Sequence, residues 1–381
     1  MLFNSAVFLF GFLPVCSGVF LLLRRRLPWL LVPWLLACSF VFYGWWSPRF
    51  LVLLLVSTLV NWGIARALVR ARPEGRQLLV AGLAWNLGLL GWFKYTNFLI
   101  ATADAITGFA IAPLDIVLPL GISFFTFQKI AYLVDVHDGR AEPGGLLDFM
   151  IFVFFFPQLI AGPIVHHSEM LPQFRGLSAH EPPGREQAGP NLVLGGVVLL
   201  AGLFSKVVVA DQLAPYANAV FDAARDGAAV GCLEAWQAAL AYTGQLYFDF
   251  SGYSIMALGL GLLFGIRLPL NFNSPYQASS IIEFWRRWHI TLSRFLKDYL
   301  YVPLGGNRKG PLRRHVNLMV VMVLGGLWHG AGWTFVIWGA LHGVALVLAH
   351  LWRARMGDRM PALAGWLLTM LVVVVGWVFF R

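Results

Sequence analysis

A histidine in an apolar, aromatic and glycine-rich stretch is the first candidate for chemistry. His329 stands in residues 325–339, GGLWHGAGWTFVIWG, a run long enough to lie within a bilayer. An ionisable side chain there loses hydration and needs a partner or a wet cavity. Because imidazole exchanges a proton near neutral pH, His329 is a candidate general base. The alternative is a buried structural histidine that is hydrogen-bonded to a backbone carbonyl.

A second constellation precedes it in residues 283–294, EFWRRWHITLSR. At helical spacing Glu283 can pair with Arg287, and His289 faces Ser293 one turn later. The pattern predicts an interfacial helix, followed by a cytoplasmic turn. An amphipathic helix anchored at the lipid headgroups by tryptophan and arginine is the alternative, but anchoring leaves His289 unexplained.

Several side chains near these histidines are candidates for contacts to a substrate or donor. Guanidinium groups carry planar donors that suit phosphate. Asp249 is a carboxylate inside an apolar run, where a charge costs on the order of 3 kcal/mol. It could orient a histidine, pair with an arginine or cap a helix broken at Ser251-Gly252, and we favour a structural pair over catalysis. The candidates are Arg286, Arg287, Arg294, Ser293, Trp328 and Asp249.

Metal-ligand spacing is not found in the sequence. Cys16, Cys38 and Cys232 lie far apart in apolar sequence, so they are predicted to be small buried hydrophobes. Adjacent His166 and His167 point in different directions on a helix, and we predict that they lie in a loop. The expectation is therefore no metal and no bound cofactor.

Composition places these residues in a membrane protein. The 381 residues are 59% hydrophobic and 12% charged, against about 25% charged in an average soluble domain. The net charge of +10 is spread over short basic clusters between apolar runs, which is the positive-inside pattern. These clusters favour anionic membrane lipids as partners, and nucleic-acid binding is not expected.

Apolar runs predict about ten or eleven transmembrane or re-entrant helices in one domain over residues 1–381. The runs near 231–265 and 315–352 are each long enough for two segments, and basic clusters at both ends of 315–352 favour a hairpin or re-entrant path. Arg24–Arg26 and the cluster at residues 66–76 place those loops in the cytoplasm. The polar stretch 166–190, with Pro182-Pro183-Gly184, is predicted to be a loop, and two prolines in residues 156–163 predict a break. The marked runs are 5–23, 28–46, 50–70, 78–98, 109–134, 147–165, 191–210, 231–265, 315–352 and 361–380.

A series of motifs in one order resembles the membrane-bound O-acyltransferase family, most of all the membrane subunit of bacterial alginate and other exopolysaccharide O-acetyltransferases. The resemblance covers essentially the whole chain and is densest from Asp249 to Gly339. The motifs are residues 3–5 (FNS), 42–45 (FYGW), 120–128 (LGISFFTFQ), 156–163 (FPQLIAGP), 271–276 (NFNSPY), 298–307 (DYLYVPLGGN) and 328–330 (WHG).

This resemblance implies function and fold. It makes His329 the essential histidine and His289 a second polar residue of the site. It implies a ring of tilted helices around a central tunnel or funnel in the bacterial inner membrane. The donor would be acetyl-CoA or an acyl carrier. A periplasmic acetyltransferase of the SGNH-hydrolase type and polysaccharide export machinery would be partners.

The sequence departs from the family pattern at two positions, one that usually supplies an acidic side chain and one that usually supplies a large aromatic side chain for packing. Ile255 stands where the family has aspartate, and Phe295 replaces a common tryptophan. Relatives continue beyond the position of Arg381, which means either a short branch or a shortened chain.

Three functions follow as hypotheses. The first is O-acetyl transfer to hydroxyls of an exported, alginate-like polysaccharide, with His329 as base and His289 orienting the acceptor or polarising the carbonyl. The second, in the same class, is transfer of D-alanine or another acyl group from a carrier protein to a cell-wall polymer. The third is a proton-coupled transporter or flippase in which His329 and Asp249 form a relay.

Overall fold

A computed structural model describes residues 1–71, 74–178, 190–357 and 359–381. Within these ranges the regular structure is helical, which confirms the all-α class. The helices in chain order are α1 (Val7–Arg26), α2 (Leu31–Gly44), α3 (Pro48–Arg70), α4 (Arg76–Thr107), α5 (Ile122–His137), α6 (Leu146–Phe154), α7 (Phe156–Leu159), α8 (His167–Ser178), α9 (Leu192–Arg225), α10 (Cys232–Leu263), α11 (Ile281–Arg287), α12 (Ile290–Leu296), α13 (Gly310–His329), α14 (Trp333–Met356) and α15 (Ala362–Phe380).

In the described part of the chain, seven helices are long and apolar enough to cross a membrane: α1, α3, α4, α9, α10, α14 and α15. The other apolar runs form shorter or more polar helices, such as α2 and α13. The protein is therefore a multi-pass membrane protein. The predicted tunnel or funnel stays a prediction.

The Cα positions group into two compact units. The first unit comprises residues 1–203 and 253–269, and the second comprises residues 204–252 and 270–381. The prediction of one domain over residues 1–381 stays a prediction.

Two pairs of buried polar side chains in the first unit are hydrogen-bonded to each other. The amide of Asn86 donates to Oδ1 of Asn61 at 2.6 Å, and Lys129 Nζ donates to Ser57 Oγ at 3.0 Å. All four residues are buried. Such pairing is what a low-dielectric interior demands.

Several boundaries in the first unit differ from the sequence prediction. The run 109–134 is helical only from Ile122, where the chain leaves the left-handed Gly121. The predicted loop 166–190 was wrong for residues 167–178, which form α8. His167 at its start is buried and its ring lies against Tyr132 and Phe152. Pro182-Pro183-Gly184 lie outside the described residues.

The predicted break at the two prolines is confirmed. α6 ends at Phe154, Phe155 has φ −47° and ψ 107°, and α7 is a single turn. Cys16 and Cys38 are buried as predicted, but Cys232 is exposed at the first residue of α10, so that prediction was wrong.

The second unit is built on a helical hairpin, which confirms the path predicted for residues 315–352. α13 ends at His329, Gly330 is extended, and α14 begins at Trp333. A Cβ on Gly339 would lie 2.4 Å from the carbonyl oxygen of Met322, and one on Gly326 would clash with that of Phe335. Glycine at these two positions lets the two backbones touch.

The apolar run 231–265 was long enough in sequence for two membrane segments. In the structure it forms one helix of 32 residues, α10. The prediction of one interfacial helix over residues 283–294 was wrong. Residues 281–296 form two short helices, α11 and α12, separated at Trp288-His289. The left-handed backbone of His289 (φ 43°, ψ 54°) makes that separation.

Candidate functional site

The two predicted histidines meet in the second unit. The ring centroids of His289 and His329 are 6.2 Å apart. His329 is the last residue of α13, and His289 is the residue before α12. Two chain breaks therefore bring the imidazoles together, because each histidine stands where a helix ends or begins.

Backbone hydrogen bonds hold the strained turn at His289. A non-glycine residue with positive φ is uncommon and costs about 1–3 kcal/mol unless its surroundings impose it. Here the N–H of Ile290 donates to the carbonyl of Asn271 at 2.9 Å, and the N–H of Asn273 donates to the carbonyl of Arg287 at 3.0 Å. The segment from Asn271 thus clamps both sides of the turn.

The side chain of Asn271 also determines the state of the His289 ring. Nδ1 of His289 lies 3.0 Å from Oδ1 of Asn271. The same oxygen accepts from Thr291 Oγ1 at 2.9 Å and from the Thr291 N–H at 3.4 Å. Because a backbone N–H needs an acceptor, this atom is the amide oxygen, so Nδ1–H of His289 is the donor. Nε2 of the neutral ring then keeps its lone pair.

Burial keeps His289 uncharged. The residue has no exposed surface. Phe250 contacts its ring at a centroid distance of 4.8 Å and Trp328 at 5.9 Å. Removal of water from the charged form lowers the pKa of His289 to about 3 from the usual 6.5. At neutral pH this imidazole is therefore an acceptor at Nε2.

His329 has an aromatic but more open environment. Its ring lies edge-on to Trp338 at 5.2 Å, to Phe380 at 5.0 Å and to Trp328 at 4.9 Å. The residue is partly exposed. His329 is thus not fully enclosed by protein atoms. Complete enclosure would have excluded a catalytic role.

The candidate arginines differ in their surroundings. Arg287 pairs with Glu283 at 2.6 Å, as the sequence predicted. Arg286 is exposed and lines a cavity formed with α14 and α15, and Arg294 is half-buried on α12. The N–H of Ser293 donates to the carbonyl oxygen of His289 at 3.0 Å, one turn away as predicted, and the Ser293 hydroxyl donates to the carbonyl oxygen of Trp288 at 3.5 Å.

Asp249 has a partner that the sequence analysis missed. Nζ of Lys206 lies 2.7 Å from Asp249 and 2.5 Å from Asp211. The structural pair is thus present, but with a lysine rather than an arginine. The suggested cap of a broken helix was wrong, because α10 continues through Ser251 and Gly252.

Sequence reasoning also gave no role to Asn271, Trp338 or Phe380. Asn271 belongs to a recognised motif, but its bond to His289 spans 18 residues. Lys206 could have been found as the lone cation in the apolar run 191–210.

Membrane-spanning helices and two neighbouring imidazoles define a multi-pass membrane protein with a candidate site in its second unit. A family model described as MBOAT, the membrane-bound O-acyltransferase family, matches residues 142–380. The chain belongs to this family, and it is an acyltransferase.

Individual relatives support the same assignment. The chain is 44% identical to a peptidoglycan O-acetyltransferase of Helicobacter pylori, over all of this chain and 77% of that protein. It is also 44% identical to a probable alginate O-acetylase of Pseudomonas putida, again over all of this chain and 77% of that protein. A teichoic acid D-alanyltransferase of Streptococcus thermophilus is 28% identical over 61% of this chain and 57% of its own length.

Proposed function

We propose that this membrane O-acetyltransferase moves an acetyl group from a cytoplasmic thioester toward hydroxyls of an exported polysaccharide, with His329 as general base. The observation that carries the proposal is the pairing of a partly exposed imidazole, His329, with a buried neutral one, His289, at 6.2 Å. A general base must reach its substrate, and His329 is the more accessible of the two.

The transfer is one displacement at a carbonyl carbon. The acceptor oxygen attacks the thioester carbon, and His329 takes the hydroxyl proton. The new C–O bond forms, the C–S bond breaks, and the leaving thiolate takes the proton back from His329, which regenerates the base. The overall exchange of a thioester for an ester is balanced without a redox step.

His289 acts on the acceptor in this proposal. Polarising the thioester carbonyl would need a hydrogen-bond donor, but Nδ1–H of His289 is given to Asn271. The lone pair on Nε2 instead suits a hydroxyl group. Of the two roles predicted for His289, orientation of the acceptor is therefore the one we adopt.

The donor and partners follow from the family resemblance. Acetyl-CoA or an acyl carrier delivers the acetyl group in the cytoplasm at the bacterial inner membrane. A periplasmic SGNH-type acetyltransferase would finish the transfer to the polymer, and polysaccharide export machinery would be a further partner. The names of the two relatives at 44% identity support an O-acetylated polymer as the final acceptor.

D-alanyl transfer to a cell-wall polymer is the second candidate within the same class. The relatives named for it are only 28% and 26% identical. Membership of an acyltransferase family argues against the transporter hypothesis. That hypothesis also needs Asp249 as the second group of a proton relay, and Asp249 pairs with Lys206.

Replacing His329 tests the proposal directly. In membranes of cells that express His329→Ala, polymer acetylation and acetyl-CoA-dependent thiol release should fall by about 10²–10⁴-fold. His315→Ala is the control, because His315 lies on the same helix, fourteen residues earlier. Normal acetylation in His329→Ala, with normal protein abundance, would refute the role of His329. Thiol release from D-alanyl carrier instead of acetyl-CoA would favour the second candidate.

A further inference from the structure

A cavity of about 680 Å³ lies in the second unit between α11, α14 and α15. It is lined by Arg286 of α11, by residues from Ala345 to Arg353 on α14, and by residues from Ala362 to Val372 on α15. These residues are distinct from the two histidines of the candidate site. α14 and α15 are both long and apolar enough to cross a membrane.

The polar end of the cavity is at headgroup level. Arg353 is three residues from the end of α14 at Met356. The hairpin brings this end of α14 beside the start of α13, which carries Arg313 and Arg314. Basic residues at the same end of two helices mark the cytoplasmic surface by the positive-inside rule.

The apolar end reaches to the depth of an acyl chain. Val372 is ten residues beyond Ala362, and Ala345 is eleven residues before Met356. At about 1.5 Å per residue the lining therefore extends roughly 15 Å into the bilayer. That depth equals one leaflet of a hydrocarbon core about 30 Å thick.

The side of the cavity is open to the lipid phase. Leu348 on α14 is 60% exposed and Leu368 on α15 is 53% exposed, while Trp352 is 43% exposed. In a membrane these apolar surfaces contact lipid rather than water. A chain can therefore enter between the two helices from the side, and Trp352 lies at the interface, where tryptophan is favoured.

Charge at the polar end favours an anion. Arg286 and Arg353 both line the cavity there. Glu283 also lines it, but its carboxylate accepts from the Ser279 N–H at 2.9 Å and the Ser279 hydroxyl at 3.0 Å, and pairs with Arg287 at 2.6 Å. The charge of Glu283 is thus balanced by Arg287, and Arg286 and Arg353 are the basic side chains among the lining residues.

We propose that this cavity binds an anionic phospholipid of the cytoplasmic leaflet, with its phosphate at Arg286 and Arg353 and one acyl chain between α14 and α15. The proposal does not depend on the catalytic mechanism. It assigns Arg286 to the lipid rather than to the donor, while the predictions for Arg287 and Arg294 are unchanged.

Native mass spectrometry of the purified full chain tests the lipid site. We expect phosphatidylglycerol to be retained in preference to phosphatidylcholine. Arg286→Gln and Arg353→Gln should each weaken retention of phosphatidylglycerol about fivefold. Arg355→Gln is the matched control, because Arg355 is at the same helix end but does not line the cavity. Ala349→Phe should reduce retention of both lipids, since it fills the space for the chain.

Equal retention of both lipids by the unaltered protein would overturn the proposal, and this comparison needs no variant. An Arg355→Gln loss as large as that of Arg353→Gln would overturn it as well. Added acetyl-CoA should leave the lipid in place. Displacement of phosphatidylglycerol by acetyl-CoA would assign the cavity to the donor and contradict the lipid assignment.

Discussion

Nδ1 of His289 lies 3.0 Å from Oδ1 of Asn271, and this hydrogen bond decides which ring nitrogen keeps its lone pair. Thr291 donates to the same oxygen from both its hydroxyl and its backbone N–H. Asn271 therefore supports the candidate site although it lies outside α13, which ends at His329, and outside α12, which follows His289. The family motif at residues 271–276 thereby gains a physical role.

Replacing Asn271 should slow acyl transfer. Asn271→Leu leaves the Nδ1–H of His289 and the Thr291 donors without an acceptor, at about 1–3 kcal/mol. We expect roughly tenfold to hundredfold slower thiol release. Asn271→Asp retains an acceptor but adds a buried charge, which favours the protonated ring. Its rate should exceed that of Asn271→Leu and show a shifted pH profile. Equal rates in both variants would contradict this role.

Folding stability should depend on pH through His289. The folded protein keeps this ring neutral down to about pH 3, whereas the unfolded chain protonates it near 6.5. Between these values the unfolded state binds more protons, so the stability falls as the pH falls through that window and is unaffected above it. Melting temperatures in detergent between pH 4 and 8 measure the effect. His289→Asn should flatten the acid side of the curve, and an unchanged slope would argue against the assignment.

Charge balance at Lys206 should be visible in a double-mutant cycle. The side chain is 23% exposed, and its two partners, Asp211 and Asp249, are 43% and 46% exposed. Such open pairs contribute about 1 kcal/mol or less each. Lys206→Met, which leaves two carboxylates together, should therefore destabilise the protein more than Asp249→Asn. The double variant should recover part of the loss, and strict additivity would show that the groups are not coupled.

The contact between α13 and α14 is too close to accept a methyl group in place of a glycine hydrogen. Gly339→Ala places Cβ 2.4 Å from the carbonyl oxygen of Met322, a backbone atom that cannot move alone. We expect a loss of stability of about 1–3 kcal/mol and a loss of activity, because α13 carries His329. Gly88→Ala is the control, since its Cβ would meet no atom within 4 Å apart from its chain neighbours and the backbone of its own helix. Equal melting temperatures for both variants would contradict the packing argument.

The sequence predicted the elements better than their boundaries. Long apolar runs were recognised as helices because length and hydropathy are local properties, and the hairpin at residues 315–352 followed from basic clusters at both ends. The break at Trp288-His289 was missed. Its cause is a set of hydrogen bonds from Asn271 and Asn273, which are far away in sequence.

In the candidate site, too, the residues could be predicted from the sequence but their arrangement could not. His289 and His329 could be selected from residue type and context alone. Their proximity could not be derived, because it depends on two chain breaks and on the clamp around His289. Likewise, Asp249 was expected to have a partner, but only the tertiary structure identifies Lys206.

The left-handed backbone at position 289 restricts which amino acids can replace histidine there. Glycine relieves the conformation but removes the ring, while asparagine tolerates it and offers an amide of different reach. β-Branched and bulky aliphatic residues are disfavoured before any question of chemistry arises. Saturation mutagenesis at this codon should therefore be sorted first for protein abundance and then for activity. We expect the abundant variants to carry only residues that tolerate a left-handed backbone, and only a few of those variants to be active.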